Sequence, residues 1–212
     1  IWLDLKQRFF MKEFVIVGAG QAGGTAALQL RINGFEGGIT LVGSEPHPPY
    51  ERPPLSKAYL SGQLAYDSLL LRPAQLYAEQ GIKLLTDTTI GSIDAGAQQL
   101  LTTDQRSIQF DKLLLATGAR PRNLAIPGAE LAGVHYLRTL ADVEALKQTM
   151  GNARRVCLIG GGYVGLEFAS VATKAGLSVT VLESADRLLK RVTTDEMSQY
   201  FADLHVCYMV CI

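Results

Sequence analysis

The stretch that most constrains this chain runs from Lys12 to Lys57, KEFVIVGAGQAGGTAALQLRINGFEGGITLVGSEPHPPYERPPLSK. A short apolar run, Phe14 to Val17, ends in Gly18-Ala19-Gly20-Gln21-Ala22-Gly23. An alanine-rich helical pattern follows, then a second apolar run from Ile39 to Val42. Strand, glycine turn, helix, strand is the order that a dinucleotide-binding βαβ unit requires. Gly18 permits the tight turn and Gly20 lets the backbone approach a pyrophosphate. Gly23 lets helix and strand pack closely, and the first helical N–H groups, from Ala22 onward, face the phosphate charge. Glycine spacing alone also fits a purely structural turn, so the flanking strands and helix carry the reading.

The same pattern returns near the end of the chain. Arg155 to Ile159 reads as a strand, Gly160-Gly161-Gly162-Tyr163-Val164-Gly165 as the turn, and Leu166 to Ala175 as a helix stopped by Gly176. Ser178 to Leu182 then forms a strand ending in Glu183, 23 positions beyond Gly160. That is close to the spacing of about 20 at which an acid binds a ribose 2′-OH and repels a 2′-phosphate, which favours NADH over NADPH. Arg187 is the nearby cation that would soften the preference. The first unit is less regular here: Gly43 and Ser44 follow the strand and Glu45 comes late, either a ribose ligand or a solvated loop carboxylate. The fold class is therefore α/β, with two Rossmann-like units. One dinucleotide unit suggests a dehydrogenase; two suggest a flavoprotein that takes hydride from a nicotinamide.

Between the units the chain reads as follows. The first helix spans about Ala22 to Ile32 and ends at Asn33-Gly34. Five prolines between positions 46 and 54 freeze an extended loop that carries Arg52 and leads to Lys57. Residues 73–80 form a short helix opening at Pro73. Ile82 to Thr86 and Thr89 to Ile93 alternate as strands, Gln98 to Ile108 turns as a hairpin near Asp104, and Lys112 to Ala116 is a buried strand. Thr139-Leu-Ala-Asp142 opens a helix that stops at Gly151, and Thr193-Thr-Asp-Glu196 opens another.

Composition excludes several classes. Net charge is zero, so no basic field draws nucleic acid or an anionic membrane. No apolar run approaches the roughly 20 residues of a membrane span. Three cysteines among 212 residues make no disulfide framework and point to a reducing compartment, the cytoplasm. Cys157 falls in a strand expected to be buried, and Cys207 and Cys211 are too widely spaced for a redox pair. Residues 1–10 make a poor signal peptide and read as a non-native or disordered extension before Met11.

VIVGAGQAG followed by LVGSEPHPPYERPPLSKAYLSG resembles the start of FAD-dependent ferredoxin reductases of the putidaredoxin-reductase and rubredoxin-reductase type. The likeness continues through LLLATGARPR, YLRTLADVEAL, GGGYVGLEFA and VTVLE, over about residues 12 to 205. It implies that the first unit, residues 11–122, holds FAD and that the second, from 123 onward, holds NADH. It also implies FAD contacts at Ile90, at the turn Ala116-Thr117-Gly118, and at Arg138. It places Glu167 near the nicotinamide. Arg52 and Lys57, the cations of the stiff proline loop, suit a flavin that becomes anionic on reduction, with Lys57 beside its edge. NADH would pass a hydride to the flavin, which a small iron–sulfur protein, a ferredoxin or rubredoxin serving an oxygenase, would reoxidise one electron at a time. No cysteine precedes Cys157, which excludes the dithiol relay of disulfide reductases. Family members continue for about as long again, and residues 206–212 do not resemble them, so the resemblance implies that the second unit is incomplete and that the chain is a fragment. A non-catalytic nucleotide-binding remnant and an NADH-dependent flavoprotein with another acceptor stay open beside the reductase.

Overall fold

The computed structural model describes residues 12–207 and the backbone of Val210–Cys211. The expectations for residues 1–10, for Met11 and for the Cys211 side chain lie outside the described residues. Two compact units form: one from residues up to Glu51 with Asp67–Ala119, the other from Arg52–Tyr66 with residues from Arg120 onward. The proline-rich segment is thus shared between them. Its second half, with Arg52 and Lys57, packs with the later unit.

In the first unit β1 (Glu13–Val17), β2 (Gly38–Val42), β3 (Ile82–Leu85) and β7 (Lys112–Leu115) make a parallel sheet in the order β3-β2-β1-β7. β4 (Ile90–Asp94), β5 (Gln99–Thr102) and β6 (Ser107–Gln109) make an antiparallel sheet, with a register irregularity between Ile90 and Ser92. Helices α1 (Gln21–Ile32) and α2 (Ala74–Glu79) belong to the same unit. The alternating strand residues sort into two cores, as a pleated strand requires. Ile16, Ile39 and Leu41 cluster with Ala27 of α1 and Tyr77 of α2. Val15 and Val42 cluster instead with Leu100 of β5. A parallel sheet covered on both faces explains why its strands read as apolar runs.

Helix α1 ends as the sequence expects. Gly34 takes a left-handed φ of +81°, and the Phe35 N–H reaches back to the Leu30 carbonyl at 2.9 Å. Arg31, in the last turn, donates to the carbonyls of Phe35, Gly37, Gln80 and Gly81, so one guanidinium ties α1 to the end of α2.

In the second unit β8 (Arg155–Ile159), β9 (Ser178–Leu182) and a short β10 (Val210–Cys211) pair in parallel in the order β10-β9-β8. Three helices accompany them: α3 (Leu140–Met150), α4 (Tyr163–Lys174) and α5 (Asp195–Cys207). Thr139 and Asp142 form the expected reciprocal capping box on α3. No helix among the described residues is long and apolar enough to cross a membrane.

Four expectations need correction. Lys112–Leu115 is not buried: β7 is the edge of its sheet, and Leu115 is 56% exposed. Cys157 is exposed rather than buried, because β8 is likewise an edge strand of its sheet. The prolines do not hold an extended chain throughout, since Pro53–Ser56 closes into a 3-10 turn with proline at its start, where no N–H is needed. Helix α5 is capped by Thr194, whose hydroxyl accepts from the Met197 N–H at 3.4 Å, rather than by Thr193.

Candidate functional site: two glycine turns and a serine–lysine–glutamate cluster

The two glycine turns are built alike. The Gly18 N–H donates to the Val42 carbonyl at 2.7 Å, and the Gly160 N–H to Leu182 at 2.8 Å. Gly18 and Gly160 have φ of +116° and +110°, a region that side chains rarely adopt. A Cβ on Gly23 would lie 1.9 Å from the Gly18 carbonyl oxygen, and one on Gly165 would lie 2.4 Å from that of Gly160. These four glycines are therefore explained by the chain itself. Gly20 and Gly162 are not. Each caps its helix with an ordinary extended backbone, and a Cβ there would meet nothing within 4 Å.

The space beside each middle glycine is what an incoming ligand backbone would need. The chemistry of the helix ends agrees. Neither α1 nor α4 has a side-chain cap or an acidic residue in its first turn, whereas α3 satisfies its own N–H groups with Thr139 and Asp142. Uncapped, acid-free helix starts suit an anion. Ala22 is exposed in the first turn of α1, as are Tyr163 and Val164 in that of α4. A pyrophosphate-bearing cofactor fits both turns.

The surroundings of the first turn are partly as expected. A Cβ on Gly18 would meet the Ala116 carbonyl oxygen at 2.1 Å, so the Ala116-Thr117-Gly118 segment lies directly against the turn. Ser44 is exposed after β2. Glu45 accepts from the Tyr50 hydroxyl, and its carbonyl accepts from the Asp87 N–H. Ile90 packs against the Val15, Val42 and Leu100 core. Gly24 was not singled out from the sequence, yet a Cβ there would lie 2.7 Å from Pro49. A second glycine in α1 is what admits the proline segment.

At the second turn Glu183 does two things at once. Its carboxylate accepts from Gly161 N–H at 2.7 Å and from Ala185 N–H at 2.9 Å. These backbone donors, Ala185 first, hold its carboxyl below the usual range against the opposing effect of burial. Arg187 is committed elsewhere: it pairs with Asp195 at 2.8 Å and donates to the carbonyls of Lys190, Thr193 and Thr194.

Other expected site residues of the second unit converge. Lys57 Nζ lies 2.8 Å from Glu167 Oε2 and donates to the Pro53 carbonyl at 3.0 Å. Arg52 donates to the Arg138 carbonyl at 2.7 Å. Arg138 Nε is buried with no hydrogen-bond partner among the described residues, an orphan donor where an acceptor would be welcome. Sequence reasoning missed the hydroxyl of Ser56, which donates to Glu167 at 2.5 Å, and the Tyr59 hydroxyl, which donates to Glu144 at 2.8 Å beneath the Lys147 ammonium. These contacts span 111 and 85 residues, and no local pattern signals them.

A sequence model of the family described as pyridine nucleotide-disulphide oxidoreductase matches residues 12–206. Rhodocoxin reductase of Rhodococcus erythropolis is 49% identical over 191 residues, covering 90% of this chain and 45% of that protein. Rubredoxin-NAD(+) reductase of Pseudomonas putida is 44% identical over 180 residues, covering 85% and 47%. The crystal structure of a covalent putidaredoxin reductase–putidaredoxin complex superposes with a TM-score of 0.89 at 44% identity, covering 95% of this chain and 49% of that one. The chain spans about half the length of the curated relatives it matches.

Proposed function

Because the chain belongs to the pyridine nucleotide-disulphide oxidoreductase family, we propose that it is the nucleotide-binding part of an NADH-dependent ferredoxin or rubredoxin reductase. The turn at Gly18–Gly23 binds FAD and the turn at Gly160–Gly165 binds NADH, with the functional division near residue 122. The observation that carries this is the repeated open glycine, Gly20 and Gly162, each at an uncapped helix start. The relatives' names point to rhodocoxin, rubredoxin and putidaredoxin as acceptors, and the acceptor proposed here is a small iron–sulfur protein serving an oxygenase. Cysteine usage supports the cytoplasm.

The flavin, when bound, supplies hydride acceptance from a nicotinamide and stepwise release of electrons. The chain supplies binding and electrostatics. Gly20 and the α1 start take the FAD pyrophosphate, with the Ala116–Gly118 turn packed alongside; Ser44, Glu45 and Ile90 serve the adenosine end. Gly162, Tyr163 and Val164 take that of NADH. Glu183, already fixed by two N–H groups, presents a carboxylate to the adenosine ribose. With Arg187 engaged by Asp195, the carboxylate of Glu183 decides the preference, and NADH is favoured over NADPH. Within the second unit Glu167 orients the nicotinamide, and Lys57, Arg52 and Arg138 contribute positive charge and hydrogen-bond donors.

The test is a visible absorption spectrum of the purified chain with FAD, before and after NADH under anaerobic conditions. Flavin bands that bleach with NADH, and return with an oxidised ferredoxin, are the expected result. A colourless protein that takes up no FAD would remove the first assignment; bands that persist with NADH would remove the second.

A further inference from the structure

We propose that Ser56 is a positioning residue for the nicotinamide end of NADH, acting by fixing the carboxylate of Glu167. The inference rests on the reading that the second unit binds NADH.

Ser56 closes the Pro53–Ser56 turn and is 5% exposed. A serine in such a turn has a local partner at hand, the carbonyl three residues back. Ser61 takes that option and donates to Ala58 at 3.2 Å. Ser56 instead reaches Glu167, in the second turn of α4, at 2.5 Å. A hydroxyl has one proton, so this donor is fully committed.

The oxygen it chooses matters. Lys57 approaches the same atom, Oε2, at 2.8 Å. The Lys57 and Glu167 side chains are 48% and 28% exposed, and an ion pair that wet holds its partners loosely. A hydrogen bond from a buried hydroxyl is directional and insensitive to salt. Together the two donors occupy Oε2 and fix the plane of the carboxylate, which leaves Oε1 as the oxygen that can accept. The carboxamide of a nicotinamide carries an N–H donor of that kind; adenosine diphosphate ribose does not carry it. Ser56 therefore affects only ligands that have the nicotinamide.

The experiment is calorimetric titration of the full chain with NADH and with ADP-ribose, for the wild type, Ser56→Ala and Ser56→Thr. For Ser56→Ala the dissociation constant for NADH rises about 5- to 10-fold, the loss expected for one weakened polar contact, while that for ADP-ribose is unchanged. Ser56→Thr restores NADH binding because the hydroxyl returns. In a Glu167→Ala background, which removes the acceptor, Ser56→Ala has no further effect. Equal weakening for both ligands would make Ser56 a structural residue only, and no weakening for either would make its hydroxyl idle; each overturns the proposal. A wild type that binds neither ligand would instead remove the NADH assignment of the second unit, and this inference with it.

Discussion

The two glycine turns share their backbone and differ in almost everything around it. In the first unit β1 is flanked on both sides, by β2 and β7. In the second, β8 is an edge among the described residues, with β9 alone beside it. The same motif position therefore meets opposite surroundings. Val15 is fully buried and its counterpart Cys157 is exposed; Val42 is 1% exposed and its counterpart Leu182 is 53% exposed. A glycine motif determines a turn through local sterics, whereas burial is decided by what covers the sheet face: Leu100 of β5 packs on Val15 and Val42, while Leu182 stays exposed although β9 lies between β10 and β8.

A second contrast concerns the acid. In the first unit Ala19 sits in the turn and Gly43 follows β2, and a Cβ on Gly43 would lie 2.5 Å from that of Ala19. In the second unit the sizes are exchanged: Gly161 occupies the turn and Glu183 follows β9, where its carboxylate bonds the Gly161 N–H. A Cβ on Gly161 would meet Leu188 at 2.3 Å and only touch Glu183, so each unit keeps its glycine for a steric reason of its own.

The largest effects should come from the glycines that the chain itself explains. Gly23→Ala drives a Cβ into a carbonyl 1.9 Å away and should cost on the order of 4 kcal/mol in urea unfolding. Gly165→Ala, at 2.4 Å and in the less enclosed unit, should cost less. Gly20→Ala and Gly162→Ala should cost only about 1 kcal/mol each, the loss of a tolerable helix cap. They should nonetheless weaken FAD and NADH respectively by about 10-fold or more, because the added methyl occupies the ligand's space. If Gly20→Ala unfolds the chain while its FAD affinity per folded molecule is unchanged, the division between structural and ligand-facing glycines is wrong.

The next test is of burial. Val42→Ala should cost about 2 kcal/mol, as for a buried side chain cut back in a packed core. Leu182→Ala removes more carbon but from an exposed position, and should stay within about 0.5 kcal/mol. Equal losses would show that the two units enclose their strands alike. On acidification Glu183 gives a smaller signal. Its folded pKa is depressed, so its contribution is present above the ordinary value of 4.5 and disappears as pH falls through the folded value. Glu183→Gln should flatten the acid limb of the unfolding curve by that part alone, and an unchanged limb would mean that the backbone bonds to Gly161 and Ala185 carry no stability.

Much of this was legible in the sequence, and the rest was hidden for identifiable reasons. The strands, both turns, the Gly34 helix stop and the Thr139–Asp142 cap depend on neighbours within a few residues. So does the Glu183 spacing. The exposure of Leu115 and Cys157 was not legible, because an edge strand and a central strand have the same apolar run until the sheet order is known. Lys57 and Glu167 were each singled out, but as separate residues. Their shared oxygen and the Ser56 hydroxyl that completes the cluster required the fold to bring positions 111 apart into contact.

The smallest effects should come from two buried tyrosines, one in each unit, that differ only in company. Tyr59 donates to Glu144, and the Lys147 ammonium lies 3.7 Å from its ring centroid. Burial first, then the bond to Glu144, pushes its pKa up to about 12. Tyr77 is fully buried, and its hydroxyl has no partner among the described residues. Burial raises its pKa as well. Tyr59→Phe removes a made hydrogen bond to a charged group and should cost about 1–2 kcal/mol. Tyr77→Phe removes an unsatisfied hydroxyl and should be neutral or stabilising by up to about 1 kcal/mol. The pH dependence separates them further. A raised folded pKa means that the contribution is complete below the ordinary tyrosine value of 10.0 and is lost as pH rises through the folded value. The Tyr59 contribution should therefore fall away between pH 10 and about 12, and Tyr59→Phe should lack that part of the alkaline limb. A Tyr77→Phe variant less stable than wild type would reveal a partner for that hydroxyl and end the contrast.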